Sequence, residues 1–139
     1  HQRGPPMATS EDINMAVDTR ESGVREPMDI SRSILMASDA DFDDWLSAHR
    51  GSEREVVVAL YKKTSGKQTV TLVALQEAAL RHGWVDSLGQ RIDDERWAIR
   101  FAPRRLGSNW SAKNRVVALR LLDEGRMTAA GLAALPADL

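Results

Sequence analysis

The chain contains no cysteine, which excludes disulfides, thiolate metal centres and cysteine nucleophiles together. Its three histidines, His1, His49 and His82, form no i, i+4 pair, so the helical two-histidine zinc pattern is missing as well. No metal and no cofactor is expected. Long apolar runs are absent too: the most apolar stretch, Val70 to Leu80, has about half the length needed to cross a bilayer. No membrane span is expected. Neither sign of charge dominates, with 19 Lys+Arg against 20 Asp+Glu, which is unlike the strongly basic balance of nucleic-acid binders.

What remains is an ordinary globular composition, 42% apolar and 28% charged over 139 residues, enough for one domain. The charge is unevenly spread: residues 1–55 carry a balance of −6, residues 56–80 one of +2, and residues 81–126 one of +4. An anionic partner is therefore expected on the back half of the chain. Ile13 to Val24 is not the uninterrupted apolar stretch of a secretory signal, and a cytoplasmic location is expected.

Residues 1–38 hold Pro5, Pro6 and Pro27 and show no apolar periodicity before Ile34-Leu35-Met36. They are expected to form a disordered, acidic tail, complementary in charge to the basic half, with residues 1–6 a non-native lead-in ahead of Met7. Residues 39–139 are expected to form one α+β domain, a small, mainly antiparallel sheet of one strand plus a β-hairpin packed with about four helices. Ser38 or Asp39 caps the first helix, with Phe42, Trp45 and Leu46 inward. Glu55 to Lys63 reads as a strand covered on both sides. Thr71 caps a helix running from Leu72 to His82 with Leu72, Leu75, Ala79 and Leu80 as its stripe, and Gly83 follows in the left-handed conformation. Trp84 to Ile92 and Arg96 to Ala102 flank Asp93-Asp94-Glu95 as a hairpin that buries the face of Trp97, Ile99 and Phe101. Pro103 ends it. Ser108 or Ser111 caps a helix to about Glu124 with Val116, Val117, Leu119, Leu121 and Leu122 as its buried band, and Thr128 caps a last short helix.

The candidate motifs separate into ordinary and informative ones. Ser65-Gly66-Lys67 has Tyr61 and Gln68 where a phosphate loop requires glycine and a hydroxyl, so it is a plain loop. The acids at 93–95 are turn chemistry. His82, at a helix end, is a capping residue whose cation the helix dipole would favour. Asp86 follows an apolar Gly83-Trp84-Val85, and a carboxylate entering a strand there must be hydrogen-bonded, paired or functionally shifted. A salt bridge to Arg100 and a catalytic acid are the two readings. The densest chemistry spans Pro103 to Arg115, where arginines, Gly107, serines, Trp110, Lys113 and Asn114 surround a helix start, an arrangement suited to an anion. Capping accounts for the same serines without any ligand.

His82-Gly83-Trp84-Val85-Asp86, Ile92-Asp93-Asp94-Glu95, Phe101-Ala102-Pro103-Arg104-Arg105, Ser108-Asn109-Trp110-Ser111 with Asn114, and Glu124 to Gly131 resemble the YdeI/OmdA-like family, also called bacteriocin-protection or OmpD-associated proteins. Tyr61-Lys62-Lys63, Ser65-Gly66-Lys67 and Ala78-Ala79-Leu80 fall in the expected order, so the resemblance covers about residues 39–135. It implies a small bacterial cytoplasmic α+β domain linked to tolerance of antimicrobial peptides and bacteriocins, with no established reaction. This chain departs from the family pattern at His82, where an apolar residue or cysteine is usual, and at Leu72, where an aromatic often follows the capping threonine.

The leading expectation is a non-enzymatic, monomeric binding protein of the stress-resistance kind. Trp84, Asp86, Arg100, Arg104, Ser108, Trp110 and Asn114 would line one cleft between the hairpin and the third helix. In it Arg100 and Arg104 hold an anionic small molecule or protein group, and Asp86 orients an arginine. Two alternatives stand beside it: a small enzyme using Asp86 as acid or base, and a nucleic-acid surface formed by Arg104, Arg105, Lys113 and Arg115.

Overall fold

The computed structural model describes residues 28–139, so the expectation for residues 1–27 lies outside them. The elements in chain order are β1 (Ile34–Leu35), α1 (Asp39–His49), β2 (Val56–Tyr61), α2 (Leu72–Arg81), β3 (Trp84–Arg91), β4 (Arg96–Pro103), α3 (Ala112–Asp123) and α4 (Ala129–Ala133), with 3-10 turns at Ile30–Arg32 and Lys63–Ser65. The four-stranded sheet has the order β1-β2-β4-β3. The β1–β2 pair is parallel, and the β2–β4 and β3–β4 pairs are antiparallel. The α+β class holds.

Each helix begins where a hydroxyl can receive a backbone N–H that no carbonyl of the helix reaches. Ser38 Oγ accepts from Asp41, Thr71 Oγ1 from Ala74, Ser111 Oγ from Asn114 and Thr128 Oγ1 from Gly131, each at 3.1 Å. Every such cap is worth about 1 kcal/mol. Between the alternatives read from the sequence, Ser38 and Ser111 are the caps.

The sheet has two covered faces. On one, Val56, Val58, Leu60, Trp84, Trp97, Ile99 and Phe101 meet Phe42 and Leu46 of α1 and Leu75 of α2. The Phe42 and Phe101 rings lie 4.8 Å apart at the centre of this core. On the other face Val57 and Ala98 pack with Met28, Ile30, Leu88 and Ile92. A bulge between Asp86 and Gly89 inserts one extra β3 residue against β4 and so turns Leu88 to this second face.

Three expectations need correction. The domain begins before residue 39: Met28 and Met36 are buried, and β1 adds a parallel strand that two isolated apolar residues did not announce. The hairpin buries both faces rather than one, since Ala98, Arg100 and Ala102 are as inaccessible as Trp97, Ile99 and Phe101. On α3 only Ala118 and Leu121 of the residues facing α2 are buried, whereas Val116, Leu119 and Leu122 point outward. α3 is too polar along its flanks to be wrapped, and α2 covers one narrow side of it.

α4 docks on the end of α2 at unusually short range. Thr128 donates both its N–H and its hydroxyl to the Arg81 carbonyl, at 3.1 and 2.7 Å. Gly131 lies directly over the same carbonyl, so a β-carbon there would overlap it. Overpacking of this kind costs about 1–3 kcal/mol. Gly131→Ala is expected to lower the unfolding free energy by that amount, read from a lower urea midpoint at unchanged m, while Gly51→Ala, where nothing lies within 4 Å of the added methyl, serves as the control that keeps its midpoint within experimental error.

Candidate functional site

Pro103 has no N–H, yet the hairpin ladder continues one step beyond it: Arg104 N–H donates to the Gly83 carbonyl at 2.9 Å. Gly107, at φ 76°, then reverses the chain, a conformation that side chains with a β-carbon rarely adopt. The reversal brings Trp110 back under Arg104, whose guanidinium carbon sits 3.7 Å from the indole centroid. Trp110 packs its other side beside Leu80, Ala118 and Leu121 and is half-buried. Ser111 then caps α3, and Asn114 occupies its first turn. Arginine is stacked on tryptophan next to a capped helix start: the indole fixes the plane of the guanidinium, whose Nε and Nη1 atoms are buried in the stack.

The other expected site residues lie elsewhere. Asp86 stands opposite Phe101 in the ladder and therefore points with it toward α2, where Gln76 Nε2 donates to its carboxylate at 2.9 Å. It is 5% exposed. Arg100 is the next residue along β4 from Phe101 and faces the opposite side of the sheet. It is 1% exposed and lies 3.9 Å from Glu55 Oε1. The expected Asp86–Arg100 salt bridge is ruled out by the pleat, because successive strand residues cannot share a face. Trp84 is buried, with its ring 5.8 Å from that of Trp45 in an edge-on contact. Ser108 Oγ is buried without a hydrogen-bond partner among the described residues. The structure thus gathers Arg104, Trp110 and Asn114 at the junction of β4 and α3, sets Trp84 and Asp86 in the interior, and places Arg100 behind the sheet. Of the cations proposed for a nucleic-acid surface, Arg105 and Lys113 are exposed and Arg115 pairs with Asp138 at 3.3 Å.

His82 forms a second polar cluster. Arg50 Nη1 donates to its Nδ1 at 2.5 Å, which leaves the ring proton on Nε2 for donation to Asp43 Oδ1 at 2.7 Å. Arg81 Nη1 reaches the same carboxylate oxygen at 2.5 Å. Burial pushes the imidazole below its ordinary value; the hydrogen bond and charge of Asp43 oppose this, and Arg50 and Arg81 reinforce it. His82 is the C-cap of α2, as expected, its backbone N–H donating to the Ala79 carbonyl, and its ring is clamped between α1 and the end of α2 rather than held as a cation by the helix dipole. For Asp43, burial works to raise the pKa, but the His82 bond and the Arg81 charge outweigh it and hold the carboxyl below its usual range.

Sequence reasoning assigned Trp45 to the core and missed the groove beside it. Trp45 is half-buried and lines a cleft of about 520 Å³ between α1 and the segment entering β2, with Arg32, His49, Glu53 and Arg54 around it. The His49 ring lies 4.8 Å from the indole. The i, i+4 spacing of Trp45 and His49 was visible, but that their shared edge borders a groove depends on the fold of residues 29–34. Among the described residues, no group of three or more His, Asp or Glu side chains is placed to hold a metal ion, and no helix is long and apolar enough to cross a membrane.

Residues 34–134 match a family described as Domain of unknown function (DUF8412). No curated protein and no solved structure matches the chain.

The His82 clamp has a pH signature. Its folded pKa is depressed, so the unfolded chain binds more protons once the pH drops below the unfolded histidine value of about 6.5, and stability falls as pH decreases through that range. Urea unfolding at about pH 7.5 and 5.5 is expected to show this loss in the wild type and a smaller loss in His82→Gln. Equal slopes would dismiss the clamp as the source.

Proposed function

We propose that this chain, which belongs to the DUF8412 family, is a cytoplasmic, non-enzymatic binding domain that takes an anionic group of a small molecule or partner protein at the junction of β4 and α3. The observation that carries this reading is the Arg104 guanidinium held at 3.7 Å on a half-buried Trp110 beside the capped start of α3. A guanidinium whose plane is fixed by the indole sets an oriented positive charge for a carboxylate or phosphate, and the indole edge supplies apolar contact to whatever carries the anion. The positive balance of residues 81–126 attracts such a partner to this side of the chain. Asp86 supports binding over catalysis: its carboxylate is buried against α2 and receives Gln76, so it serves as an interior anchor rather than a proton donor facing a substrate. The resemblance to the YdeI/OmdA-like family adds a stress-resistance setting, protection against bacteriocins or antimicrobial peptides, in which the domain acts by sequestering or presenting an anionic group.

A second reading is favoured by one observation, the ligand-sized groove beside Trp45, which would take a small amphiphilic molecule against the indole and His49. Titration with inorganic phosphate and with an acidic peptide, followed by tryptophan fluorescence, separates the two. The response is expected to persist in Trp45→Phe, to vanish in Trp110→Phe, and to require about tenfold more ligand in Arg104→Ala, the loss of one charge-assisted contact. A response lost in Trp45→Phe but kept in Trp110→Phe would move the site to the groove, and silence from the wild type toward every anion would sink the first reading.

A further inference from the structure

The exposed side of α3 is the least explained surface of the molecule. Val116, Leu119 and Leu122 are 66%, 52% and 37% exposed, and at spacings of three they form one stripe about 9 Å long down the helix. Isolated surface leucines are commonplace, but three aligned on one helical face form a contiguous apolar patch, which is the mark of an interaction surface. The charges that frame the stripe are sorted by sign. Lys113 precedes it, and Asp123, on the same side of the helix as Val116 by its spacing of seven, follows it. The remaining ionic groups of α3 are engaged within the chain: Arg115 with Asp138, and Arg120 with Glu77 and Glu124. Neither Lys113 nor Asp123 has an ion-pair partner among the described residues.

We infer that α3 is a self-association surface, on which a second copy of this chain lays its own α3 antiparallel across the stripe. The charge order selects this occupant. When two such helices run in opposite directions about a two-fold axis near Leu119, Lys113 of each copy falls within a turn of Asp123 of the other, so the face is complementary to itself. A parallel arrangement would place like charges together. Val116 of one copy then meets Leu122 of the other, and the two Leu119 side chains meet at the axis. The patch is small, so the dimer is weak and forms only at high protein concentration. The monomer expected from the sequence is its dissociated state.

Sedimentation equilibrium of the full chain at increasing concentration tests this. The wild type is expected to pass from monomer to dimer, and Leu119→Lys to remain monomeric. Lys113→Glu and Asp123→Lys are each expected to weaken association by about tenfold at low salt, because each places like charges in contact twice per dimer. The double variant Lys113→Glu/Asp123→Lys restores both contacts with inverted sign and is expected to recover the wild-type constant. These three positions are on the surface, and far-ultraviolet circular dichroism confirms that each variant is folded. A wild type that stays monomeric up to about 1 mM overturns the inference. So does a double variant no stronger than either single one, because the antiparallel pairing of these charges would then be wrong.

Discussion

The structure turns on three consecutive residues, Arg81, His82 and Gly83, where α2 ends and the sheet begins. The Arg81 carbonyl receives Thr128 from α4, and the Arg81 side chain reaches Asp43 of α1 and the Arg126 carbonyl. His82 is bonded to α1 through Asp43 and Arg50. Gly83 turns the chain at φ 78° and offers its carbonyl to Arg104, and a β-carbon there would come within 2.9 Å of the Ala130 carbonyl oxygen. Three helices and the end of the hairpin therefore share one junction. Breaking it exposes several backbone groups at once, each costly to leave unpaired. The neutral His82 fits this place because an imidazole can accept from one side and donate to the other, linking Arg50 to Asp43 without adding another cation to a cluster that already holds Arg50 and Arg81.

Local signals in the sequence were read well where the physics is local. Ser38, Thr71 and Thr128 cap their helices because a hydroxyl placed there satisfies an N–H within three residues, a relation that needs no knowledge of the fold. Asp93 closes the hairpin turn in the same way, by accepting from the N–H groups of Glu95 and Arg96. Gly83 was legible for half of its role, the left-handed turn, while its close approach to α4 was not.

The failures share a cause in long-range packing. An apolar stripe shows that a helix has a sticky side, and it does not show which neighbour, if any, covers it. On α2 the stripe found the sheet, and on α3 most of it found solvent. Opposite charge on a hairpin suggests a pair between Asp86 and Arg100. Their relation was decided instead by the register of β3 on β4, fixed by the apolar residues on both strands and by the bulge after Asp86. β1 is an extreme case, since two residues acquire strand geometry only because β2 offers an open edge beside them, with Met36 N–H adding a bond to Ala59.

The motifs behind the family resemblance can now be sorted by what they touch. Gly83, Trp84, Thr128 and Gly131 lie at the α2 junction or in the core, so packing alone demands them. Arg104 and Trp110 are different: they are only partly buried, Trp110 packs on Leu80, Ala118 and Leu121 at the edge of the core while Arg104 stacks on it, and the turn at Gly107 brings them together. The first group specifies the scaffold, and the second lies at its surface, where the proposed anion site is placed. α3 divides along the same line. Its buried edge, Ala118 and Leu121, is enough to hold it on α2, which leaves its capped start and its outer stripe directed away from the core. The domain thus keeps its rigid interior in α2 and the sheet, with α3 as one shallowly docked helix on its outside.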